Sequence, residues 1–98
     1  RHLEVLVEVA RRRGVSAAAR VLHLSQPAAT QAIAGLERTF DARLFDRAPD
    51  GVAPTQAGAA CVLRAERALA QVREGLAEAA RTRAERERLR GRDAREPG

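Results

Sequence analysis

The 98-residue sequence predicts a mainly α fold: three short helices, one small β-hairpin and a long closing helix. Three observations carry that prediction. Apolar residues recur three and four apart through most of the chain, a Pro49-Asp50-Gly51 core interrupts the pattern, and a heptad seam runs from Val62 to Ala79. The length suits one domain, which at this size buries only about 60% of its extended surface. Although 45% of the residues are hydrophobic, 22 are Ala and the aromatics are Phe40 and Phe45, so the core is small in volume. Stability is therefore expected to draw on a partner chain.

Leu3, Leu6, Val7 and Ala10 lie at helical spacing and Arg11, Arg12 and Arg13 meet the negative end of that helix, which predicts a first helix over 1–13 with Gly14 as its stop. Ser16 offers an N-cap to a second helix over 17–22, whose Ala18 and Ala19 let another backbone pass close. After His23-Leu24, Ser25 is a second N-cap, and Pro27 falls in the first turn, where its missing N–H breaks no helical bond. The third helix has an apolar stripe of Ala29, Ile33, Leu36 and Phe40, leaving Gln26, Pro27, Thr30, Gln31 and Ala34 outward.

Leu44 to Arg47 and the apolar residues after Gly51 flank the turn as a short hairpin, which Pro54 keeps short. Thr55 can cap the last helix, whose Val62, Ala65, Leu69, Val72, Leu76 and Ala79 form the seam. That spacing favours an intermolecular helix partner over packing back on the same domain, and it leaves strand direction open. Beyond Ala80 the seam positions become Arg83, Arg86 and Arg90, and helical order is expected to fade into a solvated, disordered tail over 91–98. The implied division is 1–54, 55–90 and 91–98.

All 18 basic residues are Arg, against 13 acids, and the net charge of +5 suits an anionic partner such as nucleic acid. No apolar run reaches the roughly 18 residues of a membrane span. With the single Cys61 and no charged-then-apolar leader, a reducing, cytoplasmic setting is expected. The chain opens on Arg1 inside a periodic pattern, as a piece of a longer protein would. Catalysis and metal binding find no support: Cys61 lacks a recognisable His or Asp spacing, His2 and His23 are far apart, and no phosphate loop or carboxylate pair appears. No cofactor is expected.

Two helices joined by so short a connection read as a helix-turn-helix, with a plain three-helix bundle as the competing arrangement. The outward face tips the balance. A helix built for packing carries charge there, whereas Gln26, Thr30, Gln31 and Ala34 are uncharged; Gln pairs with adenine N6 and N7, and a Thr methyl touches thymine. Gly35, which costs about 1 kcal/mol relative to Ala in a helix, fits close packing or close approach to DNA. The hairpin with Arg47 at its base reads as a wing that positions rather than specifies, or as a structural hairpin with Arg47 in solvent. Its tip carries Asp50, so contacts there fall to backbone, Arg43 or Arg47.

These residues resemble the N-terminal winged helix-turn-helix domain of the bacterial LysR-type transcriptional regulators, from about Arg1 to Ala80. The likeness rests on Ala18-Ala19 with Leu22, His23-Leu24-Ser25-Gln26-Pro27-Ala28, Ile33 with Leu36-Glu37, Leu44-Phe45-Asp46-Arg47, and Thr55-Gln56-Ala57-Gly58. It implies a DNA-binding surface of Ser25, Gln26, Pro27, Thr30 and Gln31 at the major groove with Arg47 supporting the wing contact, and a linker helix that makes a homodimer. It also implies a small-molecule effector domain beyond that helix, so the chain alone is expected to bind double-stranded DNA without responding to a ligand. The family often has a larger apolar residue at Ala29, a basic one at Gln31, Gln at Ala32, charged residues at Ala34 and Gly35, a basic wing tip at Asp50 and Leu at Pro54. Each phosphate contact so lost should flatten the salt dependence of binding by nearly one unit. The reading from another class is a helical dimerisation or adaptor module that meets an acidic protein.

Overall fold

The computed structural model describes residues 1–95. Its elements in chain order are α1 (His2–Arg12), α2 (Val15–Val21), α3 (Gln26–Phe40), β1 (Phe45–Ala48), β2 (Gly51–Pro54) and α4 (Gln56–Arg95). The two strands pair antiparallel, with Phe45 opposite Pro54 and Arg47 opposite Val52. The mainly helical fold with a two-stranded hairpin and a long last helix follows the sequence expectation.

The core is built around α1, which packs against α2, α3, α4 and β2. Contact on several sides explains why Val5, Leu6, Val7 and Val9 are all buried, more than a single apolar stripe would cover. Facing them are Ala18 and Ala19 of α2, Ala29, Ala32 and Ile33 of α3, Leu44 and Phe45, and Ala65 of α4. Five of these eight are Ala, so the helices approach closely and the buried volume stays small.

Several boundaries differ from the sequence expectation. The left-handed residue that ends α1 is Arg13 (φ 58°), not Gly14, whose extended backbone (φ −172°) instead serves as the N-cap of α2. Helix α2 therefore starts at Val15, and Ser16 makes no cap. Phe40, placed by periodicity in the buried stripe, is 60% exposed. It is the last residue of α3 and lines an open apolar groove of about 340 Å³ with Leu3, Leu36 and Cys61. Helix α4 runs through Gly91 to Arg95, past the point where order was expected to fade. A single Gly costs about 1 kcal/mol relative to Ala and does not by itself stop a helix whose surrounding residues are mostly Arg, Glu, Leu and Ala. The rest of the expected tail, 96–98, lies outside the described residues.

The start of α4 depends on Thr55 and Gly58. The Thr55 hydroxyl accepts from the Gly58 N–H at 3.0 Å and donates to the Arg43 carbonyl at 2.6 Å, while the Thr55 N–H donates to the Leu44 carbonyl at 3.0 Å. A Cβ on Gly58 would collide with the Leu44 carbonyl oxygen. The Thr-Gln-Ala-Gly run thus joins a cap to the close approach that docks α4 on the hairpin strand. From there α4 lies along α1 as far as Leu69 and Arg73, which face Glu4, Val7 and Glu8. The packed unit consequently extends beyond residue 54.

Candidate nucleic-acid interface

The connection between α2 and α3 is held by the backbone. Leu22 caps α2, its N–H reaching the Ala18 carbonyl at 3.1 Å, and the Leu24 N–H reaches the Ala19 carbonyl at 2.8 Å. His23 takes the left-handed conformation between them (φ 57°), a role in which His is enriched among non-Gly residues. Ser25 then caps α3: its backbone is extended and its Oγ accepts from the Ala28 N–H at 3.2 Å, with Pro27 in the first turn. Gln26, Pro27, Thr30 and Gln31 emerge together on the exposed N-terminal part of α3, while Ala29, Ala32 and Ile33 face inward. Ala34, expected outward, is half-buried.

The wing is held by α1 rather than left free. The Arg13 carbonyl accepts from the Val52 N–H at 3.0 Å, and the Arg13 guanidinium meets the Asp50 carboxylate at 2.9 Å. Gly51 sits at φ +127°, and a Cβ there would strike the same Arg13 carbonyl oxygen. Arg43 pairs with Asp46 at 3.0 Å and reaches the Phe45 carbonyl at 3.4 Å. Arg47 is exposed and makes no ion pair among the described residues. The structure thus gathers Ser25, Gln26, Pro27, Thr30 and Gln31 at one end of α3 and sets Arg47 apart on the hairpin, which packs chiefly on α1 and α4.

Beside the N-terminal part of α3 runs a groove of about 420 Å³ with a largely apolar floor that includes Leu24 and Ala32, and with Arg1, His2, Gln31 and Arg38 also in its lining. Arg38 stands seven residues on from Gln31, a helical spacing that residue type alone does not single out. Glu37, next to it, turns to accept from the Leu44 N–H at 2.7 Å and fixes the segment leading into the wing.

The heptad seam divides. Val62, Ala65 and Leu69 pack into the core of their own domain, whereas Val72 and Leu76 are 58% and 66% exposed, and Ala79 is exposed as well. Cys61 is half-buried beside the apolar groove. Among the described residues no group of three or more His, Cys, Asp or Glu could hold a metal ion, and no helix is long and apolar enough to cross a membrane.

A capped helix exposed beyond a tight turn, followed by a hairpin latched to the first helix, defines a winged helix-turn-helix domain. Residues 1–59 match the family of bacterial regulatory helix-turn-helix proteins of lysR type, and the chain belongs to that family. The HTH-type transcriptional regulator PcaQ of Agrobacterium fabrum is 46% identical over 52 residues, 53% of this chain and 17% of PcaQ. LinR of Sphingobium indicum, also an HTH-type transcriptional regulator, is 39% identical over 82 residues, 84% of this chain and 27% of LinR. The chain therefore spans a small part of the relatives it matches, which are transcriptional regulators and not enzymes. Among solved structures, BenM_DBD in complex with catB site 1 DNA superposes with a TM-score of 0.80 at 25% identity, over 87% of this chain and 91% of that one. The CbnR_DBD–DNA complex gives 0.72 at 31% identity, over 85% and 94%.

Proposed function

We propose that this chain binds double-stranded DNA sequence-specifically, as the DNA-binding part of a bacterial regulator of transcription. The observation that carries the reading is the uncharged, exposed surface of Gln26, Pro27, Thr30 and Gln31, offered by a helix whose Ser25 cap satisfies its first turn without a charged group. Placed in a major groove about 12 Å wide, that surface reads base edges, with Gln suited to adenine and the Thr methyl to thymine. Arg47, exposed on a hairpin held by Arg13, meets backbone phosphate or a narrow minor groove and sets orientation more than sequence.

The chain acts as a homodimer through α4. Val72, Leu76 and Ala79 supply the partner-facing part of the seam, and Val62, Ala65 and Leu69 hold the helix to its own domain. A two-fold dimer presents two α3 helices to successive major grooves about 34 Å apart, so the preferred site is pseudo-palindromic. The setting is the bacterial cytoplasm, where such DNA is met. Selection from a random duplex pool with the 98-residue chain tests the reading: enrichment of a two-fold motif is the expected result, and recovery of unenriched sequence would contradict it.

A further inference from the structure

We infer that Arg38 seats a DNA backbone phosphate in the groove beside the reading surface of α3; this rests on the DNA-binding function proposed above. Seven residues separate Arg38 from Gln31, which returns it to within about 20° of the same helix face and about 10 Å further along the axis. Gly35 lies between them on that face. The Nη2 of Arg38 is 3.8 Å from the point a Gly35 Cβ would occupy, so the side chain lies back over bare backbone toward Gln31. Arg1, His2 and Ala28 line the same groove of about 420 Å³.

The guanidinium is exposed and unspent. It makes no ion pair among the described residues. The neighbouring acids are otherwise placed: the Glu37 carboxylate accepts from the Leu44 N–H, and Asp41 sits in the left-handed turn after α3, where its N–H donates to the Arg38 carbonyl at 3.4 Å while its carboxylate makes no ion pair with the guanidinium among the described residues. Arg1 directs a guanidinium nitrogen to the Leu22 carbonyl at 2.7 Å. With residues 26–31 at base edges, a side chain two turns on reaches the wall of the groove, where the phosphates run. A guanidinium presents paired donors to phosphate oxygens, which favours Arg over a structural use of this position. The rival use is simple charge complementarity to the C-terminal end of α3.

The test uses the 98-residue chain with two duplexes of equal length, one selected from a random pool by the unsubstituted chain and one unrelated. Arg38→Gln is expected to weaken both by a similar factor, about tenfold in moderate salt, and to make the plot of log K against log salt shallower by about 0.9 for each bound protomer. Gly35→Glu, where an added Cβ meets the flexible Arg38 side chain at 3.8 Å, places a carboxylate beside the guanidinium and is expected to reproduce the loss; Gly35→Arg should steepen the slope. An unchanged slope for Arg38→Gln with a lower Tm would assign Arg38 to the helix end and overturn the inference. Weakening confined to the selected duplex would make it a base contact and overturn it equally. If the unsubstituted chain bound neither duplex, the DNA-binding reading itself would fall.

Discussion

Arg13 and Asp50 lie 37 residues apart in sequence and meet at 2.9 Å, tying the end of α1 to the tip of the wing. The pair is exposed on both sides, so in itself it contributes no more than about 1 kcal/mol. The Arg13 carbonyl adds the bond to Val52, and the left-handed Arg13 backbone that aims it costs about 1 kcal/mol in a non-Gly residue. Asp50 is therefore a structural residue of the wing and not merely a missing basic tip. Asp50→Ala is expected to lower stability by less than 1 kcal/mol in urea titration, and to speed amide exchange at Val52 while leaving exchange in α3 unaltered. Unaltered exchange at Val52 would show that the ion pair does not hold the tip.

Gly58 has no room for a side chain. Its missing Cβ lets the first turn of α4 contact the Leu44 carbonyl, and there is no flexible group that could yield. Gly58→Ala, normally favourable in a helix, should here destabilise by about 2 to 4 kcal/mol through forced displacement of α4 from the hairpin strand. A denaturation midpoint equal to or above that of the unsubstituted chain would disprove the close approach.

The two hydroxyl caps differ in reach. Ser25 accepts one backbone bond at an exposed site, and its replacement by Ala should cost about 1 kcal/mol. Thr55 both caps α4 and donates to the Arg43 carbonyl, so Thr55→Ala should cost more, about 1.5 to 2 kcal/mol. Paired unfolding curves rank them, and an inverted order would contradict the bridging role of Thr55.

For association, the division of the seam selects the residues to change. Leu69 packs into its own domain, so charge there would harm the fold as well as any dimer. Val72→Asp with Leu76→Asp changes two exposed side chains. The expected outcome in sedimentation is a monomer with retained helical circular dichroism; an unshifted sedimentation coefficient would rule out this stretch as the dimer contact.

Much of the fold was legible because its signals are local. Ser25 followed by Pro27, the Pro-Asp-Gly turn and the Thr55 cap each act within four residues, and each stands where the sequence reading puts it. What escaped depends on distant partners. Arg13 takes the left-handed turn ahead of the more permissive Gly14 in an arrangement that also satisfies Val52 and Asp50, far along the chain. Phe40 has the right period for burial, but α3 ends there beside an open groove. Heptad spacing could not show that Leu69 packs into its own domain while Val72, three residues on, stays exposed. On the interface, residue type exposed Gln26, Thr30 and Gln31 to view, whereas Arg38 became meaningful once its guanidinium was seen to lie over Gly35.

The decisive measurement is binding by a chain in which Gln26, Thr30 and Gln31 are all replaced by Ala, titrated against a selected duplex and a scrambled one across salt concentrations. All three side chains are exposed, so the fold should persist. Equal, weak affinity for both duplexes, with a salt slope close to that of the unsubstituted chain, is the predicted result. Undiminished preference for the selected duplex would mean that base recognition resides elsewhere than on the N-terminal face of α3.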